Sequence, residues 1–274
     1  MVKNKLKRIW SSGGTTINGW LSIPSAFGAE VMASQGYHSL TIDIQHGVID
    51  YSEMVRILQA VAAYPITPLV RVSWLEPALI MKALDGGALG IICPMVNNRP
   101  QAEKFVSFCR YPPLGMRSFG PTRAVYSYGN NYYNEANQEV LCLAMIETAE
   151  AMENLESIVS TPGLDGIYIG PSDLSLGIGN GKLPPGFDRE EPEMKLAIKS
   201  VLEAAKKAGI VAGLHCGSSK YAAEAINWGF DMTTVGSDAR LLASAARKSI
   251  LELRELLPEV FKEKSSLESD EAGY

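Results

Sequence analysis

Residues 38–72 read HSLTIDIQHGVIDYSEMVRILQAVAAYPITPLVRV and contain one complete strand–helix–strand unit. The two ends of this stretch, His38–Ile44 and Thr67–Val72, are short apolar runs, typical of parallel strands that are covered on both faces. Between them, Tyr51–Ala63 carries apolar residues at helical spacing, and Asp50 stands where a helix N-cap is expected. The stretch therefore predicts a βαβ unit.

The same alternation continues along the rest of the chain. The other predicted strands are Ile17–Ile23, Leu89–Cys93, Val140–Ile146, Leu164–Ile169, Ile210–His215 and Met232–Val235. The other predicted helices are Ala26–Ser34, Glu76–Leu84, Pro100–Cys109, Ala149–Ser160, Glu193–Ala208, Ser219–Trp228 and Asp238–Leu257. Eight strand–helix repeats in a chain of 274 residues predict an α/β fold, a (β/α)8 barrel, with a doubly wound sheet as the alternative. We expect a single domain over 1–260, followed by a polar, mobile tail over 261–274.

Composition narrows the class of protein. The chain is 46% hydrophobic, which excludes intrinsic disorder, and its net charge of −5 without a basic block argues against a nucleic-acid partner. A short basic cluster (Lys3, Lys5, Lys7 and Arg8) is interpreted as a frayed terminus. No apolar run is long enough to cross a membrane, and four scattered cysteines without an export signal predict buried, reduced thiols and a cytoplasmic location.

Polar and charged residues stand at the ends of most predicted strands. In a (β/α)8 barrel these ends form the active site, so the residues are expected to converge there. They are Trp20 after strand one, Asp43 and His46 after strand two, Arg71 after strand three, Glu147 after strand five, Gly170, Pro171, Ser172 and Asp173 after strand six, His215 after strand seven and Asp238 after strand eight.

Two of these carboxylates, Glu147 and Asp173, are the candidate metal ligands. Two carboxylates with water and substrate oxygens suit Mg²⁺ or Mn²⁺. The alternative is a carboxylate pair held by Arg71 without a metal. A closed zinc site is not favoured, because the three histidines are dispersed and no Cys/His cluster occurs.

The remaining candidates suit the binding and deprotonation of an anionic substrate. The planar fork of Arg71 fits a carboxylate or an enolate oxygen, although a structural ion pair with Asp43 or Glu147 is the alternative. His46 is the candidate general base, with Asp43 as the group that orients it. The turn of helix that begins at Gly170 offers free N–H groups to a substrate carboxylate, and a plain tight turn is the competing interpretation.

Other sequence motifs argue against several types of ligand binding and catalysis. Residues 177–181 (GIGNG) lack the spacing of a dinucleotide fingerprint and are interpreted as a flexible loop. Gly217-Ser218-Ser219 is interpreted as a helix N-cap rather than a phosphate site. Every lysine lies in a helical pattern, a loop or a terminus, which disfavours imine catalysis and favours metal-stabilised enolate chemistry. No G-x-S-x-G elbow supports a serine hydrolase.

Several of these segments resemble the metal-dependent class II pyruvate aldolases, a family that includes 4-hydroxy-2-oxoheptanedioate aldolase, 2-dehydro-3-deoxyglucarate aldolase and macrophomate synthase. The resemblance runs from about Asn18 to Leu253. Its most specific carriers are residues 110–117 (RYPPLGMR) and 169–175 (IGPSDLS), and it also includes 19–21 (GWL), 42–47 (IDIQHG), 70–72 (VRV), 94–96 (PMV) and 146–148 (IET).

The resemblance implies a phosphoenolpyruvate/pyruvate-type barrel that forms a homohexamer and exchanges its last helix between subunits. It implies a divalent ion on Glu147 and Asp173, Mg²⁺ or Mn²⁺ first, with Co²⁺ or Zn²⁺ as alternatives, and pyruvate chelating that ion. Arg71 would stabilise the enolate oxygen, and His46 with Asp43 would manage the proton. The implied reaction is retro-aldol cleavage of a 4-hydroxy-2-oxo acid to pyruvate and an aldehyde through a metal-bound enolate.

The resemblance also assigns substrate contacts to Arg71, Trp20 and Gly170-Pro171-Ser172, and it implies that Asp85 reaches a neighbouring subunit's site. Three positions depart from the family pattern. Gln45 stands where Glu is common, Met145 where Gln is common, and His215 where an apolar residue is usual. Met145 and His215 fall on the side that receives the aldehyde, where we expect His215 to contact substrate. Oxaloacetate-type decarboxylation, macrophomate-synthase-like bond formation and a non-catalytic oxo-acid-binding barrel remain the alternatives.

Overall fold

The computed structural model describes residues 4–261 and contains a closed barrel of eight parallel strands. Each strand pairs with the next in the chain, and the first pairs with the last. The strands are β1 Thr16–Leu21, β2 Ser39–Asp43, β3 Thr67–Arg71, β4 Gly90–Cys93, β5 Leu141–Ile146, β6 Gly166–Ile169, β7 Val211–Cys216 and β8 Met232–Ser237. The prediction of a (β/α)8 barrel is confirmed.

Helices follow every strand and cover the outside of the barrel. Their apolar faces pack on the outer faces of the strands, which explains why the strands read as continuous apolar runs. The helices are α1 Lys5–Ser11, α2 Ala26–Ala33, α3 Tyr51–Val61, α4 Pro77–Asp85, α5 Arg99–Cys109, α6 Ala124–Tyr128, α7 Tyr132–Glu139, α8 Ala149–Glu153, α9 Leu155–Val159, α10 Pro171–Gly179, α11 Pro192–Ala208, α12 Ser219–Trp228 and α13 Asp238–Leu256.

Two predicted helix caps are present. Asp50 accepts a hydrogen bond from the backbone N–H of Glu53 at the start of α3, and Ser218 accepts one from Tyr221 at the start of α12. The four cysteines are free and buried, as the sequence predicted.

The first helix corrects the interpretation of a frayed terminus. Asn4 caps α1, and its side-chain amide donates to the backbone carbonyls of Leu89 and Glu139. Leu6 is completely buried among the side chains inside the barrel. Lys7 lies 2.7 Å from Asp165 in an ion pair. The basic residues Lys5, Lys7 and Arg8 therefore belong to a helix that closes the amino-terminal end of the barrel, and Lys3 lies outside the described residues.

Some segments between the strands differ from the predicted helices and loops. Residues 111–139 contain α6 and α7, and the predicted helix 149–160 is two helices that meet at Asn154. The interpretation of 177–181 as a loop is wrong for its first half. The helix α10 continues through Gly179 and ends where Asn180 adopts a left-handed conformation.

The last helix, α13, is anchored at one end only. Asp238, its first residue, is buried and accepts hydrogen bonds from the backbone N–H groups of Ser22 and Ile23. Leu242, Leu253 and Leu256 farther along are exposed. The described chain therefore leaves apolar surface of this helix uncovered. None of the described helices is long and apolar enough to cross a bilayer. The predicted mobile tail lies, from residue 262 onward, outside the described residues.

Candidate active site

Arg71 and Asp43 form a two-point ion pair at the carboxyl ends of β3 and β2. The two residues are register partners, so neighbouring strands place them side by side. Arg71 Nε donates to Asp43 Oδ1 at 2.9 Å, and Nη2 donates to Oδ2 at 2.6 Å. Burial alone raises the pKa of Asp43, but the hydrogen bonds and charge of Arg71 outweigh it and hold the pKa below its usual range. The predicted ion pair exists, and it fixes the fork of Arg71.

Trp20 from β1 completes this arrangement. Its indole Nε1–H donates to Asp43 Oδ2 at 3.2 Å, and the Arg71 guanidinium lies 4.8 Å from the centre of its ring. Asp43 is 2% exposed, whereas the Arg71 side chain keeps 12% of its surface accessible. The cation therefore faces the barrel mouth with its orientation already set, which is the geometry that electrostatic catalysis requires.

The segment after β2 carries His46, the candidate base. Asp43 Oδ1 accepts hydrogen bonds from the backbone N–H groups of Gln45 and His46. No hydrogen bond joins Asp43 to the His46 imidazole within residues 4–261, so the structure corrects the prediction that Asp43 orients the ring. Asp43 instead holds the backbone of the loop, and the imidazole of His46 is exposed. A side chain at Gly47 would collide with the Asp43 carbonyl, so this turn requires glycine.

Glu147 lies at the end of β5 and is 2% exposed. One oxygen, Oε1, accepts a hydrogen bond of 2.8 Å from the backbone N–H of Met95. Burial and, to a smaller extent, the nearby carboxylate of Asp173 raise the pKa of Glu147 to about 7, against the opposing effects of the Met95 hydrogen bond and the charge of Arg71. This carboxylate is thus costly to ionise unless a cation neutralises it.

Asp173 belongs to the first turn of α10, beside Glu147. A Cβ atom added at Gly170 would lie 2.5 Å from Glu147 Oε2, which shows how closely the turn approaches that carboxylate. Pro171 begins the helix, and the N–H groups of Ser172 and Asp173 fall in the first turn, where backbone donors have no partner within the helix. The segment therefore brings an exposed carboxylate and two anion-binding donors to the same edge.

The carboxylates Glu147 and Asp173 suit an open site for a divalent cation better than a closed site made only of protein ligands. Within residues 4–261 no group of three or more His, Cys, Asp or Glu side chains is arranged to hold an ion. Glu147 and Asp173 together would offer two carboxylates and leave the other positions to water and substrate. Hard cations such as Mg²⁺ and Mn²⁺ accept such a set, whereas structural zinc does not.

His215 lies on the opposite side of the barrel mouth from Arg71, because β7 is four strands from β3. The ring is partly exposed. Its Nδ1 lies 3.1 Å from the Tyr168 hydroxyl, and its ring contacts Trp20 with 4.8 Å between centroids. Burial and, to a smaller extent, the charge of Arg71 lower the pKa of His215 to about 3. The imidazole is neutral at physiological pH.

Asp85 lies apart from this group. It is the last residue of α4, and its carboxylate accepts a 2.7 Å hydrogen bond from the fully buried guanidinium of Arg117, which also stacks on Tyr111. Burial raises the pKa of Asp85 despite this partner. Asp85 has no hydrogen bond or ion pair with the other candidate residues within the described chain.

Sequence reasoning missed two residues that shape the site. Tyr168 is an inward-facing position of β6, which the alternation of the strand identifies only after its register is known. Phe187 stacks on His215 with ring centroids 4.6 Å apart, and it comes from the irregular connection after α10. No local pattern marks such a residue.

Comparisons with known proteins identify the family of the chain. Residues 18–245 match the family model described as HpcH/HpaI aldolase/citrate lyase. A hydroxypyruvate/pyruvate aldolase of Rhizorhabdus wittichii is 42% identical over 92% of this chain and 100% of its own length. A 4-hydroxy-2-oxo-heptane-1,7-dioate aldolase of Salmonella heidelberg is 36% identical over 89% of this chain and 92% of its own.

Solved structures give the same result. A crystal structure of an HpcH/HpaI aldolase/citrate lyase family protein from Burkholderia cenocepacia superimposes with a TM-score of 0.85, at 32% identity, over 92% of this chain and 100% of that one. Since the family model covers most of the chain and the relatives match over nearly their whole length, the chain belongs to the HpcH/HpaI aldolase/citrate lyase family.

Proposed function

We propose that the protein is a carbon–carbon lyase that cleaves a 4-hydroxy-2-oxo acid into pyruvate and an aldehyde. The observation that carries this proposal is the guanidinium of Arg71, fixed by Asp43 and Trp20, at the same barrel mouth as the carboxylates Glu147 and Asp173. The names of the two aldolase relatives support it, since both describe 2-oxo-acid aldolases.

The proposed cofactor is a divalent cation, Mg²⁺ or Mn²⁺, held by Glu147 and Asp173. When bound, it would supply Lewis-acid polarisation of the substrate's oxygen atoms. The high pKa of Glu147 without a cation agrees with this assignment, because a nearby positive charge is what would keep both carboxylates ionised.

Groups of the protein bind the substrate, stabilise negative charge and move the proton. The first-turn N–H groups at Ser172 and Asp173 bind the substrate carboxylate, and Gly170 with Pro171 shapes that turn. Arg71 stabilises the negative charge that develops on the enolate oxygen of pyruvate. His46, exposed at the mouth, moves the proton of the 4-hydroxyl group, while Trp20 walls the pocket.

The proposal also covers assembly and location. The uncovered apolar surface of α13 supports a homo-oligomer, a hexamer, in which this helix packs on a neighbouring subunit. Asp85 would then reach the neighbour's site, positioned by Arg117. The free, buried cysteines support a reducing compartment, the cytoplasm.

The decisive experiment measures pyruvate and aldehyde release from a 4-hydroxy-2-oxo acid before and after removal of divalent metal by EDTA. Activity is expected to disappear and to return with Mg²⁺ or Mn²⁺. Full activity after exhaustive chelation would contradict the metal assignment. Carbon dioxide release from oxaloacetate without any aldol cleavage would contradict the lyase assignment and favour a decarboxylase.

A further inference from the structure

A chain of hydrogen bonds inside the barrel connects Asn18 to the ring nitrogen Nδ1 of His215. The chain begins at Asn18, whose carbonyl Oδ1 accepts hydrogen bonds from the hydroxyls of Ser39 and Thr41 at 2.8 and 3.1 Å. Asn18 Nδ2 is therefore turned the other way and donates to Thr234 Oγ1 at 2.9 Å. All four side chains are completely buried, so water does not interrupt the chain.

Each hydrogen bond between Asn18 and His215 sets the donor of the next one. Because Thr234 Oγ1 accepts from an amide, its own hydroxyl proton is free to point at Tyr168, 2.6 Å away. The phenol proton of Tyr168 then points at His215 Nδ1, 3.1 Å away. Tyr168 stays protonated because burial raises its pKa. Nδ1 is thus an acceptor, which leaves the proton of the neutral ring on Nε2.

The rest of the ring is immobilised. Phe187 stacks on one face at an interplanar angle of 19°, and Trp20 meets it at 72°. Phe187 is itself covered by the guanidinium of Arg240, and the next residue, Asp188, accepts a 2.7 Å hydrogen bond from the Gly217 N–H. Within residues 4–261, Nε2 has no hydrogen-bond partner, and the ring is partly exposed. His215 therefore presents one fixed N–H donor to the barrel mouth.

The position of this donor indicates what it binds. Arg71 on β3 and the carboxylates after β5 and β6 occupy one part of the mouth, where the 2-oxo acid half of the substrate belongs. His215 on β7 lies in the remaining sector, and Trp20 on β1 contacts both His215 and Arg71. Met145, which packs inside the barrel, brings no hydrogen-bonding group to this region.

We propose that His215 is a specificity-determining residue whose Nε2–H selects aldehydes that carry a further oxygen atom, as acceptors in the addition direction and as products of cleavage. The inference rests on the proposed lyase function. An oxygen-bearing tail satisfies the donor, whereas an alkyl tail leaves it buried and unpaired. Phe187, Trp20 and Tyr168 are positioning residues. Phe187 and Trp20 hold the imidazole ring of His215, and Tyr168 sets its tautomer.

The test uses two aldehydes of the same length, methoxyacetaldehyde and butyraldehyde, which differ by one ether oxygen in place of a methylene group. An ether oxygen only accepts hydrogen bonds, so it reports a donor on the protein. The ratio of kcat/KM for the two aldehydes in pyruvate addition is measured for the wild type, His215→Leu and His215→Gln. We expect this ratio to fall about 10-fold in the Leu variant and to be largely retained in the Gln variant, which keeps an N–H donor.

Two outcomes would overturn the inference. One is an unchanged ratio in His215→Leu, which includes an equal loss of kcat/KM for both aldehydes. The other is a fall of the ratio in His215→Gln as large as in His215→Leu. The ¹⁵N shifts of the wild-type imidazoles at pH 7 give an independent check, with His215 assigned by its absence in the Leu variant. We expect the Nε2–H tautomer, and the Nδ1–H tautomer would contradict the hydrogen-bond chain.

Failure of this inference is distinguishable from failure of the proposed function. Deuterium exchange at the methyl group of pyruvate requires enolate formation but no aldehyde. Wild-type exchange together with an unchanged aldehyde ratio overturns only the role of His215. Absence of both exchange and turnover with either metal overturns the lyase proposal and this inference with it.

Discussion

Replacement of Gly170 by alanine tests how the two carboxylate-bearing loops fit together. The added Cβ would lie 2.5 Å from Glu147 Oε2 and 2.8 Å from Met145 Cε. Met145 ends in a flexible chain and gives way, but Glu147 is tethered because its other oxygen accepts the Met95 N–H at 2.8 Å. Real Cβ atoms do not approach heavy atoms closer than 3.0 Å, so the carboxylate has to move by about 0.5 Å or more.

That displacement falls on a proposed metal ligand and not on the fold. Misplacement of a catalytic group by about 1 Å costs on the order of 10²-fold in rate, so we expect a loss of roughly 10- to 100-fold in kcat/KM, or about 1.4–2.7 kcal/mol. Gly170 has φ −95° and ψ 92°, which alanine adopts without strain. The free energy of unfolding should therefore change by less than about 1 kcal/mol.

Two readouts separate these effects. Deuterium exchange into pyruvate is followed by NMR while Mn²⁺ is titrated, and thermal unfolding is measured in parallel. Gly28→Ala in α2 is the matched control, because its new Cβ would lie 3.3 Å from the Ser25 side chain, away from the site. Wild-type exchange and Mn²⁺ dependence in Gly170→Ala would refute the close approach of Gly170 to Glu147.

Three further predictions follow from single contacts. Arg71→Ala should slow pyruvate deuterium exchange by roughly 10²-fold or more, since it removes a preorganised cation, and exchange at the wild-type rate would contradict its role. Leu6→Ala should lower the free energy of unfolding by about 2–5 kcal/mol in urea melts, whereas Leu196→Ala, at an exposed position, should change it by less than about 0.5. The folded pKa of His215 is about 3 against 6.5 unfolded, so the unfolded state binds more protons between these values and the stability that His215 contributes is lost as pH falls. Between pH 7 and pH 4 the wild type should lose about 1–3 kcal/mol more than His215→Leu, and equal losses in urea melts would contradict the shifted pKa.

The spacing of apolar residues along the chain was enough to predict the strands of the barrel. All eight strands were located to within about three residues at each end, because continuous apolar runs between helical patterns have few other interpretations. The rule that active sites lie at the carboxyl ends of barrel strands then selected Arg71, Asp43 and Glu147, which the structure places at one mouth.

Features that depend on distant contacts escaped prediction. Helix α1 was missed because its stability comes from Leu6 inside the barrel and from Asn4 bonded to residues more than eighty positions away. The hydrogen bonds that Asp43 accepts from the backbone of its own loop were missed because a carboxylate at a strand end can accept from a neighbouring strand, from the loop or from both. Phe187 was missed because nothing in an irregular segment of Gly and Pro indicates which side chain turns inward.

Closure of the barrel by α1 has a consequence for synthesis of the chain. Trp10 Nε1 donates to the carbonyl of Asp231, 221 residues later, and Asn4 pairs with Glu139, 135 residues later. The helix is translated before these partners, the last of which leaves the ribosome only after seven of the eight strands have been made. Since such non-local contacts slow folding, the growing chain keeps Leu6 and Trp10 unburied until β8 arrives. A bulky domain joined directly ahead of α1 should therefore interfere with the last step of barrel closure.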